Sequence, residues 1–210
     1  LLKHGVVKVS VLSPSSEVMS CCKKMVNNAF EPMDYHVQLK EPMVASQIQK
    51  HIPGKSSCTV KWAHVIENPS LATKIAIGVL GNGFSGRLMK QVRDKEGLTY
   101  GIYSRQMRLY GSHVFEVSAT FAPENLQKGI QSSEKVFNEW KKGITNEEID
   151  IQKQILTGSQ VVHWDNPEAI SANIHSVLLQ DKSLDTIDNF KTKVDNITYE
   201  EVRAALSNEL

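Results

Sequence analysis

Alternating, β-branched runs stop at Phe121, and from Pro123 to the end the chain reads as one helix after another. This segregation constrains the fold more than any single motif. A doubly wound parallel sheet needs strands interleaved with helices throughout. Strands followed by a helical run instead fit an α+β domain: a mainly antiparallel sheet packed against helices, with a helical carboxyl-terminal part. Strands are predicted over Val6 to Leu12, near Ala45 to Ile52, over Cys58 to Ile66 (CTVKWAHVI), and over Leu98 to Leu109 and His113 to Phe121. The last two form a hairpin through Tyr110-Gly111-Ser112. Helices are predicted from Ser16 to Phe30, over 84–96 with Gly97 as the residue beyond the end, and from Pro123 to Lys142. Phe84, Leu88, Met89 and Val92 would share one face of the second of these. Two capping boxes, Thr145-Asn146-Glu147-Glu148 and Thr198-Tyr199-Glu200-Glu201, open later helices. Asn166-Pro167 opens another, and a short helix is expected near 184–194. No linker interrupts the pattern, so residues 1–210 are read as one domain.

One segment stays ambiguous. Asn68-Pro69 looks like an N-cap followed by proline at the first helical position, which predicts a helix over 69–80. Ile75 to Leu80 alone fits a buried strand equally well. The choice matters because Gly81-Asn82-Gly83-Phe84-Ser85-Gly86 follows directly and matches G-x-G-x-x-G. A dinucleotide loop needs a strand before it and an acidic residue about 20 positions later to meet the ribose. Positions 101–110 hold no Asp or Glu, although Arg105 and Arg108 would suit a 2′-phosphate. The alternative is that the glycines join two helices and let them pack closely. A dinucleotide-binding enzyme using Gly81 to Gly86 is kept as one reading.

Composition narrows the function classes. The formal net charge is +1, which argues against nucleic acid as a partner. The charge is uneven: residues 1–115 hold 15 Lys/Arg and 7 Asp/Glu, while residues 116–210 hold 9 and 16. A basic surface facing an acidic peptide would use that asymmetry. No apolar stretch approaches the roughly 18 residues of a membrane span. The chain begins with Leu rather than Met, which reads as processing or as a piece of something longer. Cys21, Cys22 and Cys58 give no disulfide framework; reduced, partly buried thiols in a soluble protein of a reducing compartment are expected.

The stretch after the glycines carries more chemistry. Arg93 falls in the last turn of a helix, Gly97 reverses the chain, and Tyr100 starts a strand on the same face as Leu98 and Ile102. Such a junction can bring a guanidinium and a phenol together. The pair can donate hydrogen bonds to a carbonyl oxygen or to the oxyanion developing from it. Spacing alone equally allows an exposed arginine and a tyrosine at the core edge.

The whole run GNGFSGRLMKQVRDKEGLTYGIYS resembles the second-domain motif of the pitrilysin/insulinase group of zinc metallopeptidases, which includes the mitochondrial processing peptidases and many bacterial zinc proteases. That pattern is a glycine-rich turn, a helix, then Arg and Tyr seven positions apart, as Arg93 and Tyr100 are here. The resemblance implies a metallopeptidase-like α/β sandwich: the carboxyl-terminal half of a two-domain enzyme, or a non-zinc subunit. It implies catalytic roles for Arg93, on a substrate carbonyl, and Tyr100, on the oxyanion. It also puts Gly83, Phe84 and Ser85 beside the substrate, an unfolded peptide. The family's zinc site is H-x-x-E-H, and that string does not occur in these 210 residues. His64-Val65-Ile66-Glu67-Asn68 lacks the second His and lies at a strand end, and His4, His36, His51, His113, His163 and His175 have no ligand spacing. Zinc is therefore expected in a complementary homologous domain or subunit, with none in this chain, and the isolated chain is expected to be inactive. The remaining alternative is a non-catalytic structural or assembly homologue, which would not need both Arg93 and Tyr100.

Overall fold

The computed structural model describes residues 11, 13, 15–29, 48, 50, 52–109, 112–179 and 182–210. The strands predicted at Val6 to Leu12 and near Ala45 to Ile52, and the Tyr110-Gly111 turn, fall wholly or largely outside the described residues. The chain divides into two compact units, Leu1–Gln38 with Leu156–Asp195, and Leu39–Ile155 with Asn196–Leu210.

The second unit holds the sheet. Strands β1 (Cys58–Ile66), β2 (Thr99–Leu109) and β3 (Ser112–Phe121) pair antiparallel in the order β1-β3-β2. Alternation in the sequence sets which face each residue serves. Phe115, Val117, Ala119 and Phe121 lie opposite Gln106, Ser104, Ile102 and Thr99 and share the helix-covered face. The intervening residues, Glu116 among them, share the other face with Lys61 and Arg105.

Helix α2 (Leu71–Gly81) is the centre of the core. Nine of its eleven residues are buried, which is why its apolar run also reads as a strand. What decides for helix is local. Ser70 accepts from the Thr73 N–H at 3.1 Å, and the Thr73 hydroxyl accepts from the Ser70 N–H at 2.9 Å. The helix therefore starts beyond Ser70 and not at Asn68-Pro69. Asn68 instead sits at a φ of +47°, a turn conformation that Asn tolerates. Tertiary bonds then hold α2 in place: the Trp140 indole N–H donates to the Ala76 carbonyl at 3.0 Å, and the Ser104 hydroxyl to the Ile77 carbonyl at 2.7 Å. Each fully buried large apolar side chain here, such as Ile75, Leu80 or Ile102, contributes roughly 1.5–3 kcal/mol.

After the hairpin a 3₁₀ turn, Pro123–Asn125, leads into α3 (Leu126–Lys142). Helix α4 (Asn146–Trp164) contributes residues to both units. Its capping box forms as the sequence predicts: the Glu148 N–H donates to the Thr145 hydroxyl at 3.2 Å, and the Thr145 N–H to the Glu148 carboxylate at 2.9 Å. Thr198 and Glu201 repeat the arrangement at the start of α8, the last helix (Tyr199–Asn208), which packs against α2.

In the other unit, α1 spans Ser16–Ala29 and α5 spans Pro167–Leu179. The short helix expected near 184–194 is two, α6 (Asp185–Asp188) and α7 (Phe190–Asn196). All three cysteines are free, and Cys21 is exposed rather than partly buried.

Candidate functional site

The glycine stretch follows a helix, so the strand that a dinucleotide loop requires is not there. What the glycines do is visible in the spacing around them. A Cβ on Gly81 would lie 2.6 Å from the Ser104 backbone nitrogen, and one on Gly86 would lie 2.6 Å from the Gly81 Cα. Chain crosses chain at that point, and side chains would hold the crossing open. The glycines thus seat the end of α2 on β2 and fold the next segment back over it.

Between them, Gly83–Ser85 form a single 3₁₀ turn, and Gly86 is extended at φ −65°, ψ 145°. The helix predicted over 84–96 is consequently divided. Leu88 and Val92 face the core as expected, but Phe84 lies in the separate turn and is 72% exposed. Gln152 of α4, only 2% exposed, holds this turn from below. Its amide N–H donates to the Ser85 hydroxyl at 3.1 Å, and its carbonyl accepts from the Asn82 amide at 3.3 Å. Ser85 passes its own proton to the Asn82 carbonyl at 3.3 Å.

The segment Met89–Lys95 is a π-helix, a geometry that recurs at functional sites. The Glu96 N–H reaches five residues back to the Gln91 carbonyl, at 3.1 Å. The Gly97 N–H then bonds the Arg93 carbonyl at 2.9 Å and the Leu98 N–H the Val92 carbonyl at 3.0 Å, with Gly97 at φ +64°. Arg93 projects from this helix with its guanidinium 5.4 Å from the centre of the Phe84 ring, within cation–π range. One of its nitrogens lies 3.2 Å from the Asp94 carboxylate, and the side chain keeps 38% of its surface in solvent.

Tyr100 departs from the sequence reading. Thr99 pairs with Phe121 and Gly101 with the adjacent Thr120, so Tyr100 is the extra residue of a β-bulge. The extra residue breaks the alternation that would have placed it beside Ile102. Thr99 and Ile102 point into the core, and Tyr100 points away from it, 98% exposed. The structure thus brings Phe84 and Arg93 together on a turn formed by Gly83, Phe84 and Ser85, and sets Tyr100 three residues beyond the glycine that closes the π-helix. Sequence reasoning missed the bulge, the π-helix and Gln152. The last left a signal: a glutamine in phase with the apolar residues Ile149 and Leu156 of α4.

Two charged clusters lie in the same unit as these residues. Arg87 makes a bidentate pair with Glu148 at 2.6 and 2.7 Å and donates to the Gly143 carbonyl at 2.9 Å. Burial pushes the Glu148 carboxyl up, but the Arg87 and Thr145 hydrogen bonds outweigh it and hold it below the usual carboxylate value. On the sheet face away from the helices, Glu116 lies between Lys61 at 3.1 Å and Arg105 at 2.8 Å. Those bonds likewise overcome the effect of burial and lower its pKa. A cavity of about 350 Å³ lies between β1, β3 and α3, walled by Trp62, Phe115 and Phe137, and neither Arg93 nor Tyr100 lines it. Among the described residues no group of three His, Cys, Asp or Glu side chains could hold a metal ion, and His64 sits in β1 with Glu67 beyond its end. No described helix is long and apolar enough to cross a membrane.

The known proteins that this chain resembles agree with that picture. The pattern of the peptidase M16 inactive domain matches residues 40–156, more than half of the chain. The non-peptidase homolog YmxG of Helicobacter pylori is 33% identical over 112 residues, covering 50% of this chain and 24% of its own length. An uncharacterized zinc protease of Streptomyces coelicolor is 29% identical over 152 residues, 68% of this chain and 33% of its own. The chain therefore matches only a quarter to a third of the length of these two relatives. The crystal structure of a peptidase M16 inactive domain from Pseudomonas fluorescens superposes with a TM-score of 0.65 at 27% identity, over 74% of this chain and 39% of that one. With an α+β fold of that kind and a family match over most of its sheet-bearing half, the chain belongs to the peptidase M16 inactive-domain family of zinc-protease-like proteins.

Proposed function

We propose that this chain is the substrate-binding, transition-state-assisting half of a zinc metalloendopeptidase. In this reading residues 1–210 act with a homologous zinc-bearing domain or subunit on unfolded peptides. One observation carries it. Arg93 and Tyr100 are displayed outward from rigid supports, and Tyr100 at 98% exposure contributes nothing to the core of its own chain. A β-bulge that turns a tyrosine ring into solvent makes sense when something else is to meet it.

Each residue then has a distinct task. The Tyr100 hydroxyl donates a hydrogen bond to the oxygen of the scissile carbonyl as negative charge develops there, a contact that strengthens toward the transition state. The Arg93 guanidinium, always charged and rich in donors, holds a neighbouring backbone carbonyl of the peptide. Gly83, Phe84 and Ser85 form the wall beside it, and the peptide lies extended, partly as an added strand. In this reading the metal belongs to the complementary half, and no group of three His, Cys, Asp or Glu among the described residues is offered as its site. There it would supply an activated water for attack on the carbonyl.

The test combines the chain with an H-x-x-E-H homologue from the same source and follows cleavage of a quenched fluorescent peptide. Cleavage is expected only in the mixture, with zinc well below one per chain in this component by elemental analysis. Tyr100→Phe should lower kcat of the mixture by about 10²–10³, whereas Arg93→Ala should act mainly by raising KM. Stoichiometric zinc and activity in this chain alone would refute the division of labour. A second reading, a non-catalytic structural or assembly homologue, is favoured by the relative named a non-peptidase homolog. Under it the same substitutions leave any activity of the partner unchanged.

A further inference from the structure

We infer that Gln152 is a positioning residue for Arg93, acting through the Phe84 turn; this rests on the role proposed for Arg93 above. Gln152 is a polar side chain at a core position, and its whole surrounding is arranged around its amide. Its carbonyl takes the Asn82 amide and its N–H takes the Ser85 hydroxyl, so both ends of the Gly83–Ser85 turn are tied to one buried group. Gly78 makes the room: a Cβ there would lie 2.6 Å from the Gln152 carbonyl oxygen. The turn cannot slide along α4 without breaking these bonds inside the protein, where an unpaired amide is costly.

What the tie accomplishes lies at the tip of the turn. Phe84 is the exposed side chain between the two tethered residues, and its ring carries the Arg93 guanidinium. An exposed phenylalanine gains nothing for the core. An arginine on a helix surface, with only the adjacent Asp94 to pair with among the described residues, would otherwise sample many rotamers. Fixing the ring restricts the arginine to the directions that keep its charge over the π face. The side chain keeps 38% of its surface in solvent, and its remaining donors meet no partner among the described residues, so they can donate to a carbonyl. Gln152 thus pre-orders a group it does not touch.

The experiment reads Arg93 directly, without a partner enzyme. The Nε–Hε resonance of Arg93, assigned through Arg93→Lys, should be shifted upfield by the Phe84 ring, and Phe84→Leu should abolish that displacement. Gln152→Leu fills the same space without hydrogen bonds. It should keep the fold, judged by the amide spectrum, and lose most of the displacement, whereas Gln152→Glu should retain part of it through the Asn82 bond, because a carboxylate still accepts there but cannot donate to Ser85. Should Gln152→Leu fail to fold, Asn82→Ala combined with Ser85→Ala cuts the same two bonds from the half-exposed side and should give the same loss. An Arg93 resonance unchanged in these variants but displaced in Phe84→Leu overturns the inference and leaves the stacking intact. A resonance that Phe84→Leu does not move overturns the stacking and the inference together. The proposed function is judged separately, in the zinc-reconstituted mixture. If it holds, Gln152→Leu raises KM about three-fold or more with less effect on kcat. If Arg93→Ala is silent there while the resonance behaves as described, the function fails and the positioning stands.

Discussion

Replacing Gly81 by Ala tests what the glycine-rich stretch is for. The new methyl carbon would stand 2.6 Å from the Ser104 nitrogen, 2.9 Å from its hydroxyl oxygen and 3.2 Å from Leu88 Cδ1. Carbon contacts are comfortable at about 3.5–4.0 Å, so the end of α2 and β2 must part by roughly 1 Å. Neither neighbour yields easily. The nitrogen belongs to the sheet backbone, and the hydroxyl is committed to the Ile77 carbonyl at 2.7 Å. Forcing a group into a packed site of this kind costs about 1–3 kcal/mol. Alanine's better helix propensity returns up to about 1 kcal/mol in a helix interior, and less at the last residue of α2. The net loss is then about 1–2 kcal/mol. In urea, with a slope near 2 kcal/mol per M, the midpoint falls by roughly 0.5–1 M with the slope unchanged. Gly83 is the control. It has open space around its Cβ direction but a φ of +61°, so alanine there costs about 1–2 kcal/mol through backbone strain alone. Asparagine, which tolerates that conformation, should recover most of the loss at position 83 and none at position 81. A Gly81→Ala midpoint equal to that of the unmodified chain would refute the close-packing argument. So would recovery by asparagine at position 81.

Three further outcomes follow from the same geometry. The Glu148 carboxyl is held below its unfolded value, so the stability it contributes is fully present above about pH 4.5 and is lost as pH falls through the lowered folded value; Glu148→Gln should flatten that part of the acid limb of a midpoint-versus-pH curve. Trp140→Phe removes buried volume and the bond to the Ala76 carbonyl, and should lower stability by about 2–3 kcal/mol in denaturant titration. Tyr100→Phe should leave thermal unfolding within about 0.5 kcal/mol of the parent chain, because the hydroxyl bonds nothing among the described residues; a larger loss would mean the tyrosine has a structural task.

The parts of the fold legible in the sequence are those governed by neighbours in the chain. The limits of β1 follow from its alternation, the starts of α4 and α8 from capping boxes whose bonds close within three residues, and the end of the π-helix from Gly97. The misplaced features depend on distant partners or on backbone geometry without a residue signature. Asn68-Pro69 carries a helix-start signal, yet the Ser70–Thr73 pair two residues on is the one that closes. The wide turns of Met89–Lys95 are built from ordinary helix formers, and nothing in their order marks the change of hydrogen-bond partner. The bulge at Tyr100 inverts the face that period-two reasoning assigns. Arg93 and Tyr100 are singled out by motif, but the same sequence pattern puts the Phe84 ring on a helix face and not against the arginine, and Gln152 is joined to its turn across about 70 residues of sequence.

The π-helix has a consequence for how this segment tolerates changes in length. A wide turn holds one residue more than an α-helix needs between the same two anchors, here the buried Leu88 and the reversing Gly97. Removing one exposed residue such as Lys90 can be absorbed by tightening to ordinary helical geometry, while Leu88 and the strand beyond Gly97 keep their places. Arg93 would not keep its place: each helical step turns a side chain by about 100°. The protein thus carries an adjustable joint between a fixed core and a fixed strand. A single-codon deletion there is taken up between the two anchors, where it shifts Arg93 and its neighbours by a helical step.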